Sequence, residues 1–263
     1  MDISSSLIET MLNAVEKAGE LALTLRSKLT KADIERKDEG DWDLVTRSDR
    51  ECQRLISEIL GKVFPNIPII GEEDSSHKFE HERFFTIDPI DGTWEYANRR
   101  NTWGVLIGYI ENSEAMAGVM YQPELKNMAW SAKGLNTFLN ANKVRFAQNL
   151  DRSVIISSGP WLYSNTLLIT KIIPGLLEAG FKIIGLPCAI SCSLAFLNYE
   201  GSAFLGGGKI WDVTPLAIAT KEAGGVLASF SGTKPLFNKM ELPLLFATNE
   251  EILKELAAVT SLY

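Results

Sequence analysis

From Leu7 to Leu25 the apolar residues Leu7, Met11, Ala14, Val15, Ala18, Leu21, Ala22 and Leu25 recur every three or four positions, the spacing that gathers them on one helical face. Ser6-x-x-Glu9 reads as its capping box. Charged residues dominate Lys31 to Trp42, which reads as a loop or mobile ribbon. A second helix is then expected from Ser48, capped by Ser48-x-x-Glu51, through Leu60. After Pro65 the period shortens: Ile67 to Ile70 and Phe84 to Ile87 are apolar runs that stop at carboxylates, as buried strands do where they end in functional loops. Thr102 to Ile110, Ala115 to Tyr121, Asn127 to Ala132 and Thr137 to Leu139, separated by turn formers, predict an antiparallel meander.

Beyond Asp151 strands and helices alternate. Strands are expected at Val154 to Ser157, Phe181 to Gly185, Ala203 to Leu205, Val226 to Phe230 and Leu244 to Ala247. Helices are expected at Ser164 to Ala179, Ser191 to Tyr199, Val213 to Ala223 and Glu250 to Val259. This grammar predicts an α+β N-terminal half, residues 1–148, sharing a large interface with an α/β C-terminal half, residues 149–263.

With 263 residues, 46% hydrophobic and 22% charged, the chain has enough apolar material for a sizeable core. Cys52, Cys188 and Cys192 are too few and too scattered for a disulfide framework, so a reducing cytoplasm is the expected home. The first residues lack a basic, apolar leader, and no apolar run approaches a membrane span. A net charge of -7 argues against nucleic acid or anionic lipid as partner. It would also repel a phosphorylated metabolite, unless bound divalent cations reverse the sign locally.

Asp88-Pro89-Ile90-Asp91-Gly92-Thr93 follows an apolar run, and its two carboxylates, beside a proline and a glycine, are expected to leave the strand in a tight turn facing one point. Hard cations are held by such oxygen clusters. Gly92 and Thr93 open a helix-compatible segment whose amides would offer an anion site next to them. Gly71-Glu72-Glu73-Asp74 is a second acidic cluster after a strand, and Asp212 is a third candidate at the N-terminal end of a helix with Pro215 in its first turn. Cations beside an anion site are what hydrolysis of a phosphate monoester requires.

In order and spacing, Asp49 within Asp43-Leu44-Val45-Thr46-Arg47-Ser48-Asp49, then Gly71-Glu72-Glu73, Asp88-Pro89-Ile90-Asp91-Gly92-Thr93, Trp211-Asp212 and Glu222-Ala223-Gly224-Gly225 resemble the signatures of the inositol monophosphatase family. The resemblance implies a layered αβαβα sandwich, a homodimer, and magnesium-dependent, lithium-sensitive hydrolysis of a phosphate monoester. It also implies roles. Glu72, Asp88 and the Ile90 carbonyl would hold a first Mg²⁺, and Asp88, Asp91 and Asp212 a second, with Glu72 assisting a third ion or its waters. Asp49, Glu72 and Thr93 would be catalytic, Thr93 with Asp49 orienting the attacking water. The amides of Gly92 and Thr93 would bind phosphate, and Asp91 and Asp212 would line the substrate.

Substrate choice is less marked. Where the family carries a Gly-Thr-Ala segment and a hydroxyl-binding glutamate, this chain reads Pro187-Cys188-Ala189-Ile190-Ser191-Cys192 and Leu205-Gly206-Gly207-Gly208-Lys209. Without that carboxylate, polyol selectivity should weaken. Thr102 to Gly108 and Tyr121-Gln122-Pro123 resemble the histidinol-phosphate phosphatase branch, although Trp103 and Leu106 also suit strand packing. Phosphoadenosine phosphate and sugar bisphosphate phosphatases are further alternatives, for which Lys37, Arg99, Arg100 or Lys209 would contact a second phosphate. A catalytically silent ligand-binding homologue is the alternative from another class. His77-x-x-x-His81 reads as a surface loop, Cys188-x-x-x-Cys192 as a turn and buried helix, and Gly206 to Gly208 as a flexible segment beside Asp212.

Overall fold

A computed structural model describes residues 3–36, 44–74, 78–146, 151–158, 162 and 165–262. Helix α1 (Ile3–Arg26) begins earlier than the apolar stripe suggests, so Ser6 lies inside it and the Ser6-x-x-Glu9 box is not its cap. Helix α2 (Arg47–Val63) is capped by Thr46, not Ser48. Thr46 Oγ1 accepts from Ser48 N at 3.1 Å and Asp49 Oδ2 accepts from Thr46 N at 2.8 Å, so the box sits two residues earlier with Asp49 in the role expected of Glu51. The charged stretch is partly strand: β1 (Ile34–Arg36) pairs antiparallel with β2 (Leu44–Thr46), and residues 37–43 lie outside the described part.

Seven strands form the larger sheet in the order β3 (Ile69–Gly71), β4 (Arg83–Asp91), β5 (Gly104–Glu111), β6 (Glu114–Gln122), β7 (Asn127–Ala132), β8 (Thr137–Leu139), β9 (Asn142–Val144). β3 runs parallel to β4, and from β4 onward the strands form the expected antiparallel meander, lengthened by β9. β4 does not stop at Ile87. It runs on through Asp91 with an irregular register against β5 between Asp88 and Asp91, where Pro89 has no N–H to give the ladder. The short helix α3 (Thr93–Ala97) follows.

The second sheet has five strands, β10 (Ser153–Ser157), β11 (Lys182–Leu186), β12 (Ala203–Gly206), β13 (Val226–Ser229) and β14 (Leu244–Ala247), in the order β11-β10-β12-β14-β13. β10 is parallel to β11 and β12, while β14 is antiparallel to β12 and β13. The helix expected from Ser164 is a π-helical stretch (Leu168–Ile172) running into α4 (Ile173–Glu178), where Pro174 cannot donate within the helix. Then come α5 (Ala189–Leu197), α6 (Ile210–Glu222) and α7 (Glu250–Thr260). Because α6 starts at Ile210, Pro215 lies inside it instead of in its first turn.

Three apolar clusters separate the layers. α1 and α2 bury Met11, Val15, Cys52 and Ile56 against Phe85, Ile87 and Ile107 of the larger sheet. α5 and α6 fill the space between the sheets, and α4 and α7 cover the outer face of the smaller one. The result is the expected αβαβα sandwich. Each large apolar side chain so buried stabilises by about 1.5–3 kcal/mol. α6 crosses the larger sheet so closely that a Cβ on Gly108 or Gly118 would lie 2.4 Å from Thr214 or Pro215. The anticipated boundary at residues 148 and 149 falls outside the described residues.

Candidate active site

Asp88 and Asp91 occupy the end of β4, buried to 2% and 9% exposure. Staying in the strand does not separate them, because the irregular register brings residues three apart to one side. Asp212 joins them from the first turn of α6, and the ligand oxygens of Asp88, Asp91 and Asp212 all lie within 4.8 Å of one another. Asp88 Oδ1 accepts from Ile90 N at 3.0 Å, Asp91 Oδ2 from Ile190 N at 2.6 Å, and Asp212 Oδ2 from Lys209 N at 2.8 Å. The Ile190 amide opens α5, so a group from the second half anchors a carboxylate of the first.

Thr93 opens α3 immediately after Gly92, which adopts φ 81°, a left-handed turn that glycine takes without strain. A Cβ there would also meet Cys188 Sγ at 3.1 Å. Thr93 Oγ1 lies 3.1 Å from both Asp49 Oδ1 and the Ile90 carbonyl. The other Asp49 oxygen is held by Thr46 N and by Thr46 Oγ1 at 2.6 Å, so the N-terminal box of α2 doubles as the mount for Asp49.

Glu72 follows β3, with its amide donating to Ile87 O at 3.0 Å. Gln53, on α2, braces this segment: its Oε1 accepts from Glu73 N at 3.0 Å and its Nε2 donates to Asp74 Oδ1 at 2.8 Å. Gly71 is required here, since a Cβ would come within 2.3 Å of the Gln53 amide. Gly208 plays a similar part. At φ 144° its absent Cβ would lie 2.2 Å from Asp212 Oδ2, so its place in the triple glycine is explained by close approach to a carboxylate, beyond the flexibility expected of the segment.

The electrostatics match a cation site. Burial pushes the Asp49 carboxyl up to about 7, helped by the charges of Glu73 and Glu72 and opposed by the Thr46 hydrogen bonds. Burial likewise takes Asp91 up to about 6, against the Ile190 amide, and raises Asp212 well above the carboxylate range, with Asp91 and then Glu72 adding to it. Glu95, on α3, is also buried and pushed up to about 7. Like charges this close favour retained protons, and a divalent cation bound by hard oxygens would displace them.

The weaker signals resolve mostly into packing. Trp103 and Leu106 are fully buried in strand-facing cores. Arg99 and Arg100 are exposed, the latter with its guanidinium 4.5 Å from the Trp94 ring centre, and Lys209 pairs with Glu241. Cys188 is the N-cap residue of α5 and Cys192 is buried inside it. Lys37 and His77 lie outside the described residues, and His81 is exposed. Gln53 and the Ile190 amide carry no local sequence signal, because their partners Asp74 and Asp91 are distant in the chain.

The fold matches that of a Thermotoga maritima IMPase over 97% of this chain and 98% of that one, with a TM-score of 0.80 and 25% identity. Within this fold the Asp88, Asp91 and Asp212 oxygens could hold a metal ion. The chain belongs to the inositol monophosphatase family, whose sequence profile matches residues 4–261. It is 29% identical over 196 residues to a fructose-1,6-bisphosphatase/inositol-1-monophosphatase of Thermotoga maritima, covering 73% of this chain and 74% of that protein. It is 28% identical over 203 residues to a histidinol-phosphatase of Mycobacterium tuberculosis, covering 73% and 76%. The protein is thus a phosphoric monoester hydrolase. Among the described residues, no helix is long and apolar enough to cross a membrane.

Proposed function

We propose that this phosphatase hydrolyses a small phosphorylated metabolite with two or three Mg²⁺ ions. Glu72, Asp88 and the Ile90 carbonyl hold one, and Asp88, Asp91 and Asp212 another. The convergence of Asp88, Asp91 and Asp212 oxygens within 4.8 Å carries this reading. When bound, magnesium polarises phosphoryl oxygens, lowers the pKa of water and stabilises the leaving alkoxide.

The protein's own groups do the rest. Thr93, whose hydroxyl donates toward Asp49 and the Ile90 carbonyl, each at 3.1 Å, turns an oxygen lone pair toward an incoming water and orients it for attack. Asp49, pushed up to about 7, sits in the range where a carboxylate accepts a proton near neutrality. The Gly92 and Thr93 amides receive a phosphoryl oxygen, while Asp91 and Asp212 face the alcohol half of the substrate. No nucleophilic side chain is needed, so no covalent intermediate forms. Lithium inhibits by competing for the carboxylates, and a homodimer in the cytoplasm is the working form.

The rim beside Asp212, Leu205 to Lys209, offers no carboxylate for a polyol, which favours a broad monoester range. Phosphate release is measured over inositol 1-phosphate, fructose 1,6-bisphosphate, histidinol phosphate and a phosphoadenosine phosphate, with and without Mg²⁺ and Li⁺. Magnesium-dependent turnover of at least one, suppressed by Li⁺, is expected. Binding of these compounds without any release would overturn the reading in favour of a silent homologue.

A further inference from the structure

Arg26, in the last turn of α1, is only 5% exposed. Its Nε donates to the Tyr96 carbonyl at 2.9 Å, and one terminal nitrogen donates to the Arg100 carbonyl at 2.6 Å and reaches that of Glu95 at 3.4 Å. The other terminal nitrogen pairs with Glu124, in the turn after β6. The guanidinium also lies 5.4 Å from the Tyr96 ring centre and 5.8 Å from that of Trp103. Glu95 and Tyr96 belong to α3, and Arg100 to the turn after it; the Glu95 and Tyr96 carbonyls also accept the Arg100 and Arg99 amides locally, so Arg26 adds a contact from outside this segment to the C-terminal end of the helix.

We propose that Arg26 is a positioning residue for hydrolysis: by clasping the carbonyls at the C-terminal end of α3, it fixes the other end of that helix, where Thr93 presents its hydroxyl between Asp49 and Ile90. The proposal deepens the phosphatase reading and rests on it. Tyr96 completes the clasp. Its phenol donates to Ala22 O at 2.8 Å and shares a hydrogen bond with Ser48 Oγ at 2.7 Å, tying α3 to α1 and to α2, the helix that carries Asp49. Among the described residues, the remaining hydrogen bonds of residues 98–100 are local, such as Asn98 N to Trp94 O and Arg100 N to Glu95 O, so they shape the turn without orienting it against the other elements.

Stability alone does not call for an arginine here. Burial pulls the Arg26 pKa down, the mark of a desolvation cost, and a buried ion pair is often no more stable than apolar packing of similar volume. What an apolar side chain lacks is a rigid fork with enough donors to serve three carbonyls and a carboxylate at fixed angles. Lysine, with three donors on one nitrogen at the end of a flexible stem, lacks it too.

Arg26→Ala, Arg26→Lys and Glu124→Gln are compared with the wild type by kcat and KM under saturating Mg²⁺, well below each protein's unfolding temperature, and by amide hydrogen exchange of residues 92–100 without substrate. Both Arg26 variants should lose about tenfold to a hundredfold in kcat, as small misplacements of a reacting geometry do, with KM changing much less. Exchange should quicken in α3 and its following turn and stay unchanged elsewhere. Ethylguanidinium should restore part of the Arg26→Ala kcat through the opening beside the partly exposed Glu124. Glu124→Gln, which keeps an acceptor, should lose only about twofold to fivefold.

A folded Arg26→Ala protein with kcat within about twofold of wild type, or full rescue by lysine, overturns the proposal. So does unchanged exchange at residues 92–100. If Arg26→Ala does not fold, the lysine and Glu124 variants decide by the same criteria. If the wild type hydrolyses no phosphate monoester, the phosphatase reading falls by itself, and the exchange measurement still reports whether Arg26 holds α3.

Discussion

The two sheets contribute to the carboxylate cluster through different kinds of support. Asp88 and Asp91 end β4, which pairs with β3 as far as Ile87 and with β5 on to Asp91, so a backbone ladder runs up to and alongside them. Asp212 comes instead from the first turn of a helix packed between the sheets, steered by one amide of Lys209 and by the bare Cα of Gly208. A ladder spreads a perturbation over many bonds; the start of α6 is tied to residues 240–242 by Ile210 N to Met240 O and Leu242 N to Gly208 O, but the Asp212 carboxylate itself rests on the Lys209 amide and a tight contact, which pass a perturbation on more directly. The strand side of the site should therefore tolerate changes in its surroundings that the helix side does not.

Removing a charge from either side should have the largest effect. Asp91→Asn and Asp212→Asn preserve shape but delete a ligand oxygen charge, and each is expected to lower kcat at least about a hundredfold, since metal stabilisation of the transition state is worth several kcal/mol. Because each deletes one of three crowded like charges, the metal-free variants should unfold at a higher temperature than metal-free wild type, as calorimetry would record. Equal loss of activity with a lowered unfolding temperature would mean that the carboxylates are structural supports.

Next comes Gly208→Ala, which attacks the helix side alone. The new Cβ would lie 2.2 Å from Asp212 Oδ2, so Asp212 must move, and turnover should fall by about one to two orders of magnitude with weakened Mg²⁺ affinity by titration calorimetry. A variant with wild-type affinity would erase the distinction between the two supports.

A smaller effect should appear as pH dependence. Asp49 and Asp91 are held up to about 7 and about 6, against an ordinary value of 3.8, so between those limits the folded protein binds more protons than the unfolded chain. Metal-free stability should therefore decline as pH rises from about 4 to 7, and the gain in unfolding temperature given by Mg²⁺ should grow across that window as protons cease to compete. Thermal scans at several pH values with EDTA or Mg²⁺ test the sign. A metal-free stability that rises over this range would contradict it.

The smallest effect is a control at the other end of α6. Gly224 has φ 87° and open space around its Cα, so Gly224→Ala should cost about 1 kcal/mol of stability from backbone strain and leave kcat unchanged, as denaturant unfolding and steady-state kinetics would report.

What the sequence conveyed was mostly local. Asp88 to Thr93 lies within six residues, so the meeting of its two carboxylates was legible, although β4 runs on through Asp91 where a turn out of the strand was expected. Periodicity found the main helices and the meander, but cap positions slipped where two boxes competed, as Thr46-x-x-Asp49 and Ser48-x-x-Glu51 do in overlapping sequence. The short strand β9, Asn142-Lys143-Val144, has too few residues to display alternation. Arg26 meets Tyr96 across 70 positions and Ile190 meets Asp91 across 99, and no window along the chain reports contacts of that span.

α6 is apolar and enclosed along most of its length, from Ile210 to Thr220, and presses directly on the backbones of Gly108 and Gly118. That makes the middle layer the least forgiving part of the molecule to random change, while the Lys209 side chain, paired with Glu241 and 41% exposed, meets few such obstacles. A descendant lineage can accordingly drift toward new alcohol groups by altering side chains of that kind alone, keeping the reaction while exchanging the compound it serves.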